Sequence, residues 1–319
     1  MAVSAKGLKN LLNRGENDNL PPTAEMLSLV GRRRTALRPA RLDLDLPHLA
    51  LRLEAESGIL WARMRHQVRA CYTPELMRDM REVQQMLHDR YAGRDAGEVP
   101  FRWLVWASDA PRVWSLGGDL TSFTAMIRSG DEGGLRTYAH LAIDILYDNH
   151  VNLDLPIQSA ALVEGDAIGG GFEAMLTDDL VVAERGAKFG LPEILFNLFP
   201  GMGAQSFLER RLGPQQARRL IEDGITRSAD EMQALGLVDL VCEPGAAEAT
   251  LRRHVAETAA RFGTLRTLQR VRQRTNPVTK RELSDIVDMW TDLAMTLGEA
   301  ELRRMDALAR VQQKKRAGG

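Results

Sequence analysis

The stretch EGDAIGGGFEAMLTDD, residues 164–179, sets three consecutive glycines before an apolar residue and the carboxylate of Glu173. Glycine at a strand-to-helix junction serves an unusual φ or a close approach of two elements, so the run alone reads as a tight turn. Its neighbours in the chain add to that reading. A second glycine-rich loop, WSLGGDL, follows the strand-like WLVWAS, and Glu193 sits behind Pro192 in FGLPEILFNLFPGMGA. Glutamates rarely lie in such apolar surroundings without a role or a partner. Two partly desolvated carboxylates can divide labour, one ionised and one protonated, which equips a site for general acid–base chemistry. Twenty positions separate Glu173 from Glu193, so only tertiary folding brings them together. The plainer alternative is that Glu193 caps a turn and Glu173 is an exposed first-turn residue. The six histidines form no His–Ser or metal constellation, which argues against a serine triad and a metal site.

The elements that position these residues alternate between strand and helix. LALRLEAESGILWARM reads as a β-hairpin about Glu56, Ser57 and Gly58. TPELMRDMREVQQMLHDRY offers Thr73 as N-cap, Pro74 at the first helical position, and Leu76, Met80, Val83 and Leu87 at helical spacing. A short strand in FRWLVWAS, a loop, and a long helical region over about 120–147 come next. The strand IQSAALVEG precedes the glycine run, and DDLVVAERGAKFGLPEI supplies a further strand, a turn at Gly186 and an extended segment. This alternation predicts an α/β layer arrangement. From about Met202 the pattern is mostly helical, ending in two helices broken near Gly298.

The 319 residues suffice for a full hydrophobic core, and 44% hydrophobic content is that of a globular chain. A formal net charge of −1 implies no global attraction to nucleic acid or anionic membrane. Cys71 and Cys242 have no metal-ligand spacing and read as reduced, packed thiols of a cytoplasmic protein. No signal-peptide pattern or spanning helix is legible. Residues 1–45 read as a flexible leader with a short helix over 24–30 and a basic run at Arg32, Arg33, Arg34, Arg38 and Arg41, which could instead form an arm on a neighbouring subunit or an acidic partner.

Taken together, the two glycine loops, Glu173, Glu193 and ARRLIEDGITRSADEMQALGLVDLV resemble the crotonase (enoyl-CoA hydratase/isomerase) superfamily over about 49–241. Within it the chain is most similar to the diffusible-signal-factor synthases. That finer resemblance rests on LGGDL, on VEGDAIGGGFEAML with GLPEILFNLFPGMGAQSF, and on the C-terminal MWTDLAMTLGEAELRRMD. The resemblance implies a spiral of β-β-α units, with a crotonase core over 46–240 and a helical region over 241–319 for oligomerisation and covering the substrate.

It also implies roles. Backbone N–H groups of Gly118 and Gly170 would form an oxyanion hole for a thioester carbonyl, and glycine lets the backbone approach the ligand. Glu173 and Glu193 would be the acid–base pair, with either order open, and Asp119 would orient its loop. Phe196, Phe199, Met202, Met289 and Trp290 are the expected lining of an acyl pocket. The implied reaction is dehydration of a 3-hydroxyacyl thioester to a cis-2-enoyl thioester and hydrolysis to a free cis-2-unsaturated acid, a quorum-sensing signal. The alternatives are an ordinary enoyl-CoA hydratase or isomerase of fatty-acid metabolism, or a non-catalytic protein that binds acyl thioesters or a sensor. No cofactor is expected; the thioester carrier would be the phosphopantetheine of acyl carrier protein, or coenzyme A. Arg210, Arg211, Arg218 and Arg219 could receive an acidic carrier protein. A membrane sensor kinase is a further implied partner, and a homotrimer or hexamer the implied assembly.

Overall fold

The structure, a computed structural model, describes residues 42–316. The basic run at 32–41 and the short helix expected over 24–30 lie outside the described residues. In chain order the core begins with β1 (Leu44–Asp45), β2 (Leu49–Glu54), β3 (Ile59–Met64) and α1 (Pro74–Tyr91). β4 (Trp103–Ser108), β5 (Val113–Ser115), α2 (Leu120–Ser129) and α3 (Glu132–His150) follow. Then come β6 (Gln158–Val163), β7 (Asp166–Ile168), α4 (Gly170–Met175), β8 (Leu180–Glu184) and β9 (Lys188–Gly190). The remainder is α5 (Ala204–Leu212), α6 (Pro214–Glu222), β10 (Arg227–Ser228), α7 (Ala229–Ala234) and β11 (Leu240–Cys242), then α8 (Ala247–Thr258), α9 (Phe262–Thr275), α10 (Lys280–Ala294) and α11 (Glu299–Arg316).

The strands form two sheets, one of seven strands in the order β1-β2-β3-β4-β6-β8-β11 and one of four in the order β10-β9-β7-β5. The larger sheet is parallel from β3 to β11, while the β2–β3 hairpin that starts it is antiparallel. Each unit of the spiral lays a long strand in the large sheet and a short one in the small sheet, then turns into a helix or helical turn. β4-β5-α2 and β6-β7-α4 are such units, and β8-β9 leads into a 3-10 turn over Glu193–Phe196. Because β5 pairs with β7 and β7 with β9, all in parallel, the three loops that leave their C-terminal ends lie side by side. Strand spacing of about 4.8 Å thus juxtaposes residues far apart in sequence.

Pleat alternation divides the core. Leu60, Ala62 and Leu104 face one layer, under α1 and α3, while Ile59, Trp61, Trp103 and Val105 pack with Leu251 and Phe262 of α8 and α9. α1 begins as expected: Thr73 Oγ1 accepts from Leu76 N at 3.3 Å, and Leu76, Met80, Val83 and Leu87 are all buried. The helical region expected over 120–147 is two helices, α2 and α3. Gly130 ends α2 in the left-handed region (φ 71°, ψ 21°), and the Asp131 carboxylate caps α3 by accepting from Gly134 N at 2.9 Å. The break near Gly298 lies where expected, between α10 and α11. Cys71 and Cys242 are buried free thiols. No helix among the described residues is long and apolar enough to cross a membrane.

The seat of α4 is tight: a Cβ on Gly171 would lie 2.2 Å from the Ser115 carbonyl oxygen of β5. Gly171→Ala must push that helix off its strand, an overpacking cost of about 1–3 kcal/mol. Urea denaturation is expected to show a lower midpoint with an unchanged slope. A wild-type midpoint would show that α4 does not rest on β5.

Candidate active site

The first loop, after β5, is tied from behind. Leu116 N donates to Ala70 O at 2.7 Å, Tyr72 N donates to Gly117 O at 2.8 Å, and Asp119 N donates to the Tyr138 hydroxyl at 3.1 Å. In a trans peptide the carbonyl and the next N–H point opposite ways, so anchoring Gly117 O to Tyr72 turns the Gly118 N–H the other way. The second loop, after β7, is held by Gly169 N donating to Gly190 O at 2.8 Å and by Glu173 N donating to Gly169 O at 3.0 Å. By the same geometry the Gly170 N–H points off the start of α4. The two loops touch: a Cβ on Gly117 would lie 2.7 Å from Gly170 N, and one on Gly170 would lie 3.4 Å from Gly118 N. Among the described residues neither the Gly118 nor the Gly170 N–H has an acceptor. Two free amide donors therefore border one space, the arrangement that stabilises negative charge on a single oxygen.

Asp119 stands behind the first loop. Its buried carboxylate accepts from Arg69 Nη2 at 2.5 Å, from Ser122 Oγ at 2.7 Å and from Ser122 N at 3.4 Å, so it caps α2 and anchors the loop. The hydroxyl of Tyr138 in turn donates to Tyr72 O.

The two glutamates differ in surroundings. Glu173, only 1% exposed on α4, accepts from Met202 N at 2.8 Å and Ala204 N at 3.0 Å, both on Oε1. Burial pushes its carboxyl up to about 7, against the pull of those two N–H groups toward the charged form. Glu193 opens the 3-10 turn, and its stem is partly exposed while its Oε2 is buried without a partner. Burial and the nearby Glu173 charge hold its carboxyl well above the ordinary carboxylate range. A Cβ on Gly169, whose φ is +57°, would lie 2.7 Å from Glu193 Oε1, so the carboxyl rests against the second glycine loop. The environments thus favour an ionised Glu173 beside a protonated Glu193. Neither is the exposed or merely capping residue of the plainer sequence reading.

Both carboxyls, Gly118 and Gly170 line a cavity of about 360 Å³. Phe196, Met202 and Trp290 of the expected acyl pocket line it as well; Phe199 and Met289 do not. Phe199 packs half-buried against the core instead. Met289 is 63% exposed, because one residue along α10 from Trp290 turns the side chain about 100° toward solvent. The structure adds residues that no motif marked: Phe123, whose ring meets Trp290 at 5.3 Å between centroids, with Val287, Leu308 and Gln312. Val287 could have been read from its i,i+3 spacing to Trp290. Phe123 and Gln312 carry no such signal, since their place depends on how α2 and α11 pack.

Two of the four arginines expected to face a carrier are committed inside the chain. Arg210 pairs with Glu282 at 2.8 Å, and Arg211 donates to Leu176 O at 2.7 Å and Asp178 O at 3.2 Å, just beyond α4. Arg218 and Arg219 remain exposed on α6, the former paired with Glu222 at 2.9 Å.

Comparison with known proteins agrees with this architecture. The family model for enoyl-CoA hydratase/isomerase matches residues 71–289. A curated relative, the fatty acid oxidation complex subunit alpha of Idiomarina loihiensis, is 35% identical over 140 residues, 44% of this chain and 19% of the relative, so the match spans a small part of that protein's length. Among solved structures, the enoyl-CoA hydratase of Bacillus halodurans superposes with a TM-score of 0.68 at 20% identity, covering 82% of this chain and 99% of that one. The human mitochondrial delta3-delta2-enoyl-CoA isomerase gives 0.66 at 17% identity, covering 84% and 99%. DspI of Pseudomonas aeruginosa gives 0.59 at 23% identity, covering 86% and 100%. At these identities the structural similarity is one of fold. The family match, extending over more than two thirds of the chain, shows that this protein belongs to the enoyl-CoA hydratase/isomerase family of the crotonase superfamily.

Proposed function

We propose that the chain moves water across the C2–C3 bond of an acyl thioester, with dehydration of a 3-hydroxyacyl thioester as the working direction. The observation that carries this reading is the pairing of two free amide N–H groups with two unlike buried glutamates on one apolar cavity. The thioester oxygen sits between the Gly118 and Gly170 N–H groups, which stabilise the enolate as C2 loses its proton. The Glu173 carboxylate takes that proton. Protonated Glu193 delivers its proton to the C3 hydroxyl, which leaves as water, and the electron pair of the broken C2–H bond becomes the new double bond.

The finer reading adds thioester cleavage, so that a free cis-2-unsaturated acid leaves as a signal. Its support is the stretch MWTDLAMTLGEAELRRMD, singled out in the sequence, which runs through α10 and into α11 and carries the cavity residue Trp290. After dehydration Glu193 is ionised and can activate water for attack on the carbonyl. The same two N–H groups hold the tetrahedral oxyanion, and the thiol leaves with the proton. The carrier is acyl carrier protein or coenzyme A, the setting cytoplasmic, and the assembly a homotrimer or hexamer. A sensor kinase is a further partner in this reading.

Product analysis separates the versions. Purified protein given a 3-hydroxyacyl carrier thioester is expected to release a free cis-2-enoic acid, identified by mass spectrometry and double-bond geometry. A trans-enoyl thioester would support an ordinary hydratase, and unchanged substrate would sink the enzymatic reading. Glu173→Gln and Glu193→Gln are each expected to lower dehydration by about a hundredfold or more while circular dichroism stays native. Full activity in either would remove it from the mechanism.

The same pair predicts a bell-shaped dependence of kcat/KM on pH. The acid limb follows ionisation of Glu173, near 7, and the alkaline limb follows loss of the Glu193 proton. Glu193→Asp, by retaining an acid, should keep two limbs; a single-limbed wild-type profile would contradict the division of roles.

Stability supplies an independent check. Glu193 binds its proton more tightly folded than unfolded, so its contribution is fully present below the unfolded value near 4.5 and is lost as pH rises toward the folded one. Glu193→Gln is therefore expected to match wild type in urea at pH 4 and to exceed it by about 1 kcal/mol or more at pH 7.5. Equal stability at both values would mean that the carboxyl is not desolvated.

A further inference from the structure

One buried group on the cavity wall has no part in the mechanism above. Gln312, 3% exposed on α11, donates through Nε2 to both Leu116 O and Gly118 O at 2.9 Å. Two carbonyl acceptors decide the orientation of the side-chain amide, because only its nitrogen can donate to them. The other end must then be Oε1. Among the described residues this oxygen is buried and accepts from nothing, although Gln312 lines the cavity beside Gly118. A buried acceptor left without a donor is costly, and native proteins seldom keep one that nothing fills. Its side-chain neighbours on that wall, Leu116, Leu308 and Val311, offer no donor.

A thioester whose oxygen lies on the Gly118 N–H brings donors of its own into this region: the 3-hydroxyl on the acyl side and the amide N–H of the carrier arm on the sulfur side. We propose that Gln312 Oε1 is a substrate-binding acceptor that takes a hydrogen bond from such a donor on the bound acyl thioester. The inference rests on the acyl-thioester reading above. It gives α11 two tasks in one side chain: Nε2 pins the loop that carries the Gly118 N–H, and Oε1 reads the ligand. Substrates without the matching donor would leave the oxygen unpaired on binding and be disfavoured.

The test uses the full-length chain with Glu193→Gln, which stops turnover, titrated calorimetrically with two matched ligand pairs. One pair is the 3-hydroxyacyl and saturated acyl thioesters of N-acetylcysteamine. The other is the saturated acyl thioesters of N-acetylcysteamine and of propanethiol, which lacks the amide. Adding Gln312→Met removes both the oxygen and the loop pin. Loss of the pin weakens every ligand alike, so the ratio within a pair reports Oε1 alone. The expected result is a preference that falls about tenfold in one pair and is unchanged in the other, which identifies the donor. Should Gln312→Met unfold, Gln312→Asn withdraws the acceptor by one methylene and reads the same ratios. Ratios unchanged in both pairs overturn the inference while leaving the functional reading intact. A Glu193→Gln chain that binds none of the thioesters overturns that reading, and the inference with it.

Discussion

The close approach of two backbone loops is the constraint on which the site depends. A Cβ on Gly117 would stand 2.7 Å from Gly170 N, so no side chain fits between the loops and the backbone itself must form the wall. This contact exists because β5, β7 and β9 are parallel neighbours in the small sheet, and each strand releases its chain on the same side. The spiral therefore does more than enclose a core. It stacks successive strand-to-helix turns, and the turns supply the Gly118 N–H, the Gly170 N–H and Glu193 in consecutive layers. Hydrogen bonds directed away from the cavity, from Tyr72 N to Gly117 O and from Glu173 N to Gly169 O, fix the direction of the free donors that face it. Donors held this way need no reorganisation as charge develops.

The same geometry sets the electrostatics. Burial alone would neutralise both glutamates. The distinction between them comes from two backbone N–H groups, those of Met202 and Ala204, which converge on Glu173 and have no counterpart on Glu193 Oε2. The segment between the 3-10 turn and α5 thus has an electrostatic effect: its N–H groups pull Glu173 toward the charged form, while Glu193, beside the Glu173 charge, holds its proton more tightly. Asp119 shows the opposite use of a buried carboxylate. Paired with Arg69 and capping α2, it holds the loop rigid and is spent on structure.

Features local in sequence were the legible ones. The hairpin, the Thr73 cap, the strand-helix alternation and the two final helices follow from period and capping chemistry, and all stand in the structure. The helical region over 120–147 was legible but its break at Gly130 was not, because apolar periodicity continues across a left-handed cap that only the backbone reveals. The glycine loops and the two glutamates could be singled out because their residue types are costly in apolar surroundings and recur in a known order. The cavity wall was legible only in part. Met289 and Trp290 are adjacent in sequence yet one meets solvent and the other the cavity, and Arg210 and Arg211 look like surface cations until Glu282 and the carbonyls of Leu176 and Asp178 claim them. Facing and pairing are tertiary properties, and no local period encodes them.

The wall that was hardest to read comes from the last helix of the described residues. Residues 71–289, which match the family model, carry the two free amide N–H groups and both glutamates, whereas α11 begins beyond them at Glu299. Yet α11 contributes Leu308 and Gln312 to the cavity and is bonded to the Gly118 loop through Gln312. The pairing of β5, β7 and β9 involves no residue of α11. That helix still lines the apolar space and bonds the loop that carries the free Gly118 N–H. The topology thus divides the cavity between a spiral that places both free N–H groups and both glutamates and a last helix that closes one wall.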